Sequence, residues 1–123
     1  MKNKAVIIIG QGFEDSEFTY PFYRLQEENI EVEIVTACGN PITGKLGQVA
    51  IPTLKASDLK ESNFDMAILP GGHEGPDRVR QVESILQFIK IMDANQKIIA
   101  TTCHGSWVTI SAQIMKNKKA TCY

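Results

Sequence analysis

Apolar residues fall along the chain in two rhythms. Short runs rich in β-branched residues end at glycine, proline or threonine, and between them lie stretches whose apolar positions recur every three or four residues. Residues 5–10 (A-V-I-I-I-G) form a continuous run of the first kind, the pattern of a parallel strand covered on both faces. Phe18, Phe22 and Leu25 then mark one face of a helix that Asp15 or Ser16 is placed to cap, with Pro21 expected near its first turn, where a missing N–H costs least. Residues 31–37 alternate and then turn apolar, predicting a second strand. Between Asn40 and Leu54, turn signals at Gly39-Asn40-Pro41, Gly44 and Gly47 surround short β segments such as residues 48–53, so a small hairpin is expected beside the main sheet. Residues 64–70 predict a third core strand running into Gly71-Gly72. Val79, Val82, Ile85, Leu86, Ile89 and Met92 predict one face of a single long helix, and residues 97–102 a fourth strand. Cys103-His104-Gly105 opens a helix carrying Val108, Ile110, Ala112 and Met115, and residues 119–123 are expected to begin another strand.

Strands alternating with helices make βαβ units, hence an α/β fold with a mainly parallel sheet and helices on both faces. Ligands in such folds sit beyond the carboxyl ends of the strands. That rule singles out the loops after Gly10, Pro70 and Thr102.

Composition removes several classes of function. A chain of 123 residues is one domain, and 43% apolar with 22% charged residues is ordinary for a globular protein. A net charge of −1 gives no basic footprint for nucleic acid, and no Lys/Arg cluster suggests a membrane surface. Lys116, Lys118 and Lys119 read as a solvated helix end. No run approaches the ~18 apolar residues of a membrane span. The apolar run 5–9 is too short for a signal-peptide core, so a cytoplasmic location is expected. The odd set Cys38, Cys103 and Cys122, widely spaced and without C-x-x-C, is neither a disulfide framework nor a zinc site. No metal or cofactor is expected, and the first loop lacks a phosphate-cradling pattern.

Cys103 stands apart from the other two. It follows an apolar strand directly and starts a helix, with Gly105 two residues on, so the thiol is lifted off the sheet at a tight turn. A helix N-terminus favours the thiolate, and the His104 N–H is placed to face a developing oxyanion. Cys38 and Cys122 read as small buried residues. Glu14, Asp15 and Glu17 crowd the first loop, either as helix-end acids or as partners of the sulfur. Gly71-Gly72 can bring backbone N–H groups close to a reacting carbonyl. Asp77 beside Arg78 reads as a surface ion pair or a site acid. The base is His104 or His73, the only histidines. Neighbours at a helix start diverge by about 100°, so His104 calls for a third group to orient it, which another subunit could supply.

Five stretches in order resemble the ThiJ/PfpI superfamily, in particular its PfpI-type intracellular proteases: G-F-E-D-S-E-F-T-Y-P (12–21), I-T-G-K (42–45), F-D-M-A-I-L-P-G-G (64–72), P-D-R-V-R (76–80) and T-T-C-H-G (101–105). The resemblance covers essentially the whole chain and implies a three-layer flavodoxin-like sandwich. It further implies Cys103 as nucleophile, His104 as its catalytic neighbour, and Glu17 as the buried acid on the sulfur. Glu14 and Tyr123 line the pocket, Gly72 and His104 supply the oxyanion amides, and Asp77 reaches the histidine from a neighbouring subunit of a homodimer or larger homo-oligomer. The chain departs from the pattern in having aspartate at 77, where many relatives have glutamate, and one more residue between Gly72 and Pro76. Relatives continue with a helix–strand–helix portion, so residues 1–123 are expected to be a single domain without it, leaving a sheet edge and apolar surface exposed.

The expected function is peptidase or glyoxalase/deglycase chemistry on a peptide or a small aldehyde, the latter meaning α-oxoaldehydes and glycated protein. Two rivals stand beside it: a redox-sensing stress protein or chaperone using an oxidisable Cys103, and a shortened module without catalysis.

Overall fold

The structure, a computed structural model, describes residues 2–122. Its frame is five parallel strands: β1 (Lys4–Ile8), β2 (Glu31–Thr36), β5 (Leu54–Lys55), β6 (Met66–Leu69) and β7 (Ile98–Thr101). They lie in the order β5-β2-β1-β6-β7, with β1 central. Val6 and Ile8 point to one face and Ile7 and Ile9 to the other, each joining a different apolar cluster. That is why the run 5–9 shows no polar alternation.

The first cluster gathers Phe64, Val79, Ile85, Phe88, Ile89, Met92 and Val108. They come largely from α2 (Glu74–Val79), α3 (Glu83–Ala94) and α4 (Ser106–Ser111). On the opposite face Phe13 and Phe18 meet edge to face at 5.3 Å, and α1 (Asp15–Glu27) covers the sheet beside a hairpin of β3 (Ile42–Thr43) and β4 (Val49–Ala50). The layers are therefore helix, sheet, helix.

Several local expectations are corrected. Pro21 lies inside α1 and not in its first turn. Because its ring nitrogen carries no hydrogen, the carbonyl of Glu17, four residues earlier, lacks its usual helical donor. Neither Asp15 nor Ser16 caps α1; the N-cap position is Glu14, with no side-chain cap bond. The helix expected through Val79 and Met92 is two, because turn bonds from Gln81 N–H to Arg78 O and Val82 N–H to Val79 O close α2 before α3 begins. α4 stops at Ser111, and Ile110 is exposed. Residues 119–122 form no strand, and Tyr123, expected at the pocket rim, lies outside the described residues. Cys38 and Cys122 are exposed, not buried.

Among the described residues β7 pairs only with β6, and its outer side borders a groove of about 590 Å³ lined in part by Ile99, Ile114 and Met115. Ile98 is also exposed on this strand. No helix among the described residues is long and apolar enough to cross a membrane.

Candidate active site

Three strand ends converge at the site. β7 delivers Thr102 in extended conformation (φ −137°, ψ 150°), and Cys103, at φ +52°, opens the short 3-10 turn Cys103–Gly105 that leads into α4. A non-glycine residue there stores about 1–2 kcal/mol of backbone strain. The turn passes so close over β6 that a Cβ on Gly105 would sit 2.1 Å from the Leu69 carbonyl oxygen. Only glycine permits that approach. Exchanging Cys103 for glycine is therefore expected to give a more stable chain than exchanging it for alanine, by about 1 kcal/mol, reversing the usual order of those residues. Urea unfolding of the two variants measures this, and an alanine variant equal to or better than glycine would contradict the strained elbow.

The positive φ has a second consequence. Cys103 Sγ and His104 Nδ1 lie 3.5 Å apart although the residues are adjacent. His104 is only 6% exposed. Its ring contacts those of His73, at 4.3 Å, and Trp107, at 4.4 Å. The Arg80 guanidinium covers Trp107 at 5.5 Å and bonds Ser111 Oγ through Nε at 2.9 Å. The imidazole thus packs against rings of its own chain. Asp77 is exposed on α2 and is not among the residues lining the Cys103 cavity; its carbonyl accepts a hydrogen bond from Gln81 Nε2. Arg78 pairs with Glu74, not with Asp77.

Glu17 approaches from α1. Its Oε1 is buried without a well-formed hydrogen bond, while Oε2 accepts a long one from Thr102 Oγ1 at 3.5 Å. A Cβ placed on Gly71 would meet both Cys103 Cβ and Glu17 Oε1 at 2.6 Å, so the thiol-bearing residue and the carboxyl flank the same bare glycine. Burial pushes the Glu17 carboxyl pKa up and the Glu14 charge adds to this, against the Gly71 N–H, the Thr102 hydroxyl and Lys45. Glu14, Lys45, Gly72, His73, Cys103 and His104 line a cavity of about 270 Å³. Glu14 and Lys45 are paired across it at 2.6 Å. Among the described residues no cluster of three or more His, Cys, Asp or Glu side chains is arranged to hold a metal ion.

Sequence reasoning passed over Lys45, Trp107 and the purpose of Asp15. The Asp15 carboxylate accepts the Leu46 N–H at 2.9 Å and the Gln48 N–H at 2.8 Å, fastening the hairpin turn to the start of α1. The available signal was an acid opening a helix in a chain that also carries a glycine-rich turn, which capping explained equally well. Removing this carboxylate in Asp15→Ala leaves two backbone donors without their acceptor and is expected to cost about 2 kcal/mol. Urea unfolding checks the value, and an unchanged midpoint would contradict the clamp.

The sequence model of the DJ-1/PfpI family matches residues 3–123. The chain is 38% identical over 120 residues to a deglycase, PfpI, of Pyrococcus furiosus, spanning 98% of this chain and 72% of that one. It is 32% identical to protein/nucleic acid deglycase 2 of Escherichia coli over 98% of this chain and 71% of the relative. Among solved structures, a two-domain protein of Anabaena variabilis with DJ-1/ThiJ/PfpI-like and ferritin-like domains superimposes with a TM-score of 0.95 at 30% identity, covering 99% of this chain and 35% of that one.

Proposed function

The chain belongs to the DJ-1/PfpI family, and from that membership and the geometry around Cys103 we propose a cysteine-dependent enzyme that converts α-oxoaldehydes, free or as adducts on protein, to 2-hydroxy acids. The observation that carries this reading is that Cys103 and the buried Oε1 of the half-buried Glu17 both crowd the bare face of Gly71. One group attacks carbon and the other, with its raised pKa, exchanges a proton beside it. The cavity of about 270 Å³ fits a short dicarbonyl better than an extended polypeptide. The two relatives named deglycases support the inclusion of protein adducts.

In this reading the Cys103 thiolate adds to the aldehyde carbon C1, and the oxyanion is received by the backbone N–H groups of Gly72 and His104. Proton uptake gives a hemithioacetal. The Glu17 carboxylate then takes the C1 proton, and its bonding pair becomes a C1=C2 double bond while the C2 carbonyl pair moves onto oxygen. Return of the proton to C2 and passage of the C1 hydroxyl proton to the C2 oxygen leave a 2-hydroxy thioester. Water, with His104 as base, releases the 2-hydroxy acid and restores the thiolate. C1 is oxidised as C2 is reduced, so no external oxidant enters. Asp77, exposed and outside the cavity, is available to a second copy of the chain, and the reading includes a homo-oligomer in which it approaches that copy's histidine.

The test is incubation with methylglyoxal and, separately, with an unmodified fluorogenic peptide, each followed by product NMR. The expected result is lactate from the first and an intact second. Peptide cleavage without lactate would replace this reading with the peptidase one.

A further inference from the structure

Lys45 is mounted with more care than a surface lysine needs. Its own N–H bonds the Phe13 carbonyl at 2.9 Å. The turn that carries it is closed by Gly44 N–H to Gln48 O at 2.8 Å and joined to the first loop by Gly12 N–H to Thr43 O at 2.9 Å. Asp15 holds the Leu46 and Gln48 N–H groups on its other flank. The side chain so presented lines the cavity with Cys103, Gly72 and His104. Glu14 Oε2 takes one ammonium proton at 2.6 Å and fixes the direction of the head group. Three protons on an ammonium leave two for a ligand.

The charge arrangement specifies what that ligand is. Lys45 and Glu14 together are neutral, and an incoming carboxylate would meet the Glu14 charge as closely as the ammonium. A neutral acceptor oxygen that gains charge during reaction fits. The ammonium pKa is raised by its bond to Glu14, then by the Glu14 charge, against a smaller opposing effect of desolvation, with Cys103 and Glu17 adding the least.

We propose that Lys45 is a substrate-contacting residue, whose ammonium receives the C2 carbonyl oxygen of an α-dicarbonyl while Cys103 holds C1. This rests on the aldehyde reading above. When Glu17 removes the C1 proton, the electron pair of the C2 carbonyl moves onto the oxygen that Lys45 contacts, so the charge-assisted bond strengthens as the reaction proceeds. The site thereby selects vicinal dicarbonyls over simple aldehydes, which offer nothing at that position.

Protection of Cys103 against iodoacetamide, quantified for that cysteine by mass spectrometry, reads this contact without turnover. In the native chain methylglyoxal is expected to protect at a lower concentration than propanal, beyond the difference in their reactivity with a free thiol. In Lys45→Met the methylglyoxal concentration for half-protection rises about tenfold, propanal is unchanged, and Lys45→Arg recovers most of the loss. Equal shifts for both aldehydes, no shift for either, or no preference for methylglyoxal in the native chain would overturn the assignment. A chain that shows the selective shift but makes no 2-hydroxy acid would count against the proposed reaction, not against Lys45.

Discussion

Replacing Cys103 with alanine lowers α-oxoaldehyde conversion about a thousandfold or to the background rate, with the chain still folded, because covalent capture of C1 is lost whole. The side chain is half-buried and small, and its surroundings are already shaped around a left-handed backbone that alanine also tolerates poorly. Stability should therefore change little relative to the native chain, and certainly less than activity. Lactate formation and urea unfolding, measured on the same preparation, separate the two effects. Retained conversion in a folded Cys103→Ala chain would remove the thiol from the mechanism.

Glu17→Gln has effects of opposite sign on activity and stability. The amide cannot accept the C1 proton, and loss of a positioned acid–base group costs on the order of 10²- to 10⁴-fold. The same exchange removes a carboxyl whose charged form is disfavoured first by burial and then by Glu14. Its folded pKa lies above the ordinary value of 4.5. The folded chain therefore binds more protons than the unfolded one between 4.5 and that raised pKa. Native stability accordingly declines as pH rises through this window, whereas Glu17→Gln does not feel it. The variant is expected to melt higher than the native chain at neutral pH, with the advantage shrinking as pH falls from the raised pKa toward 4.5 and lost below it. In the native enzyme the acidic limb of the kcat profile is correspondingly expected above the usual carboxylate range. A variant less stable at neutral pH, or one with undiminished kcat, would contradict the role given to this carboxyl.

The sheet and the elbow were legible because they are written in local pattern. Ile7 and Ile8 face opposite clusters, so the run 5–9 had to be apolar throughout. A cysteine directly after residues 97–102 and two before Gly105 had to stand at a sharp bend, and the 2.1 Å approach at Gly105 shows why. The gap between α2 and α3 was not legible. Val79, Val82 and Ile85 keep helical spacing across it, and periodicity cannot register a turn that preserves phase. Asp15 and Lys45 were missed for another reason. Their partners lie about 30 residues away in sequence, at Leu46 and Gln48, or in a pocket formed only when the hairpin folds against α1. The need for an outside group to orient His104 followed from regular helix geometry. The left-handed Cys103 departs from that geometry, and His73 and Trp107 of the same chain pack against the imidazole, neither of which regular periodicity foretells.

The most direct test of the central claim is methylglyoxal conversion by two complementary chains, one with Cys38 and Cys122 both changed to serine and one with only Cys103 changed. Both silenced cysteines in the first chain are exposed and stand outside the cavity that holds Cys103. The account predicts native lactate production from the first chain and none above background from the second. Conversion that persists without Cys103, or disappears with Cys38 and Cys122, would contradict it.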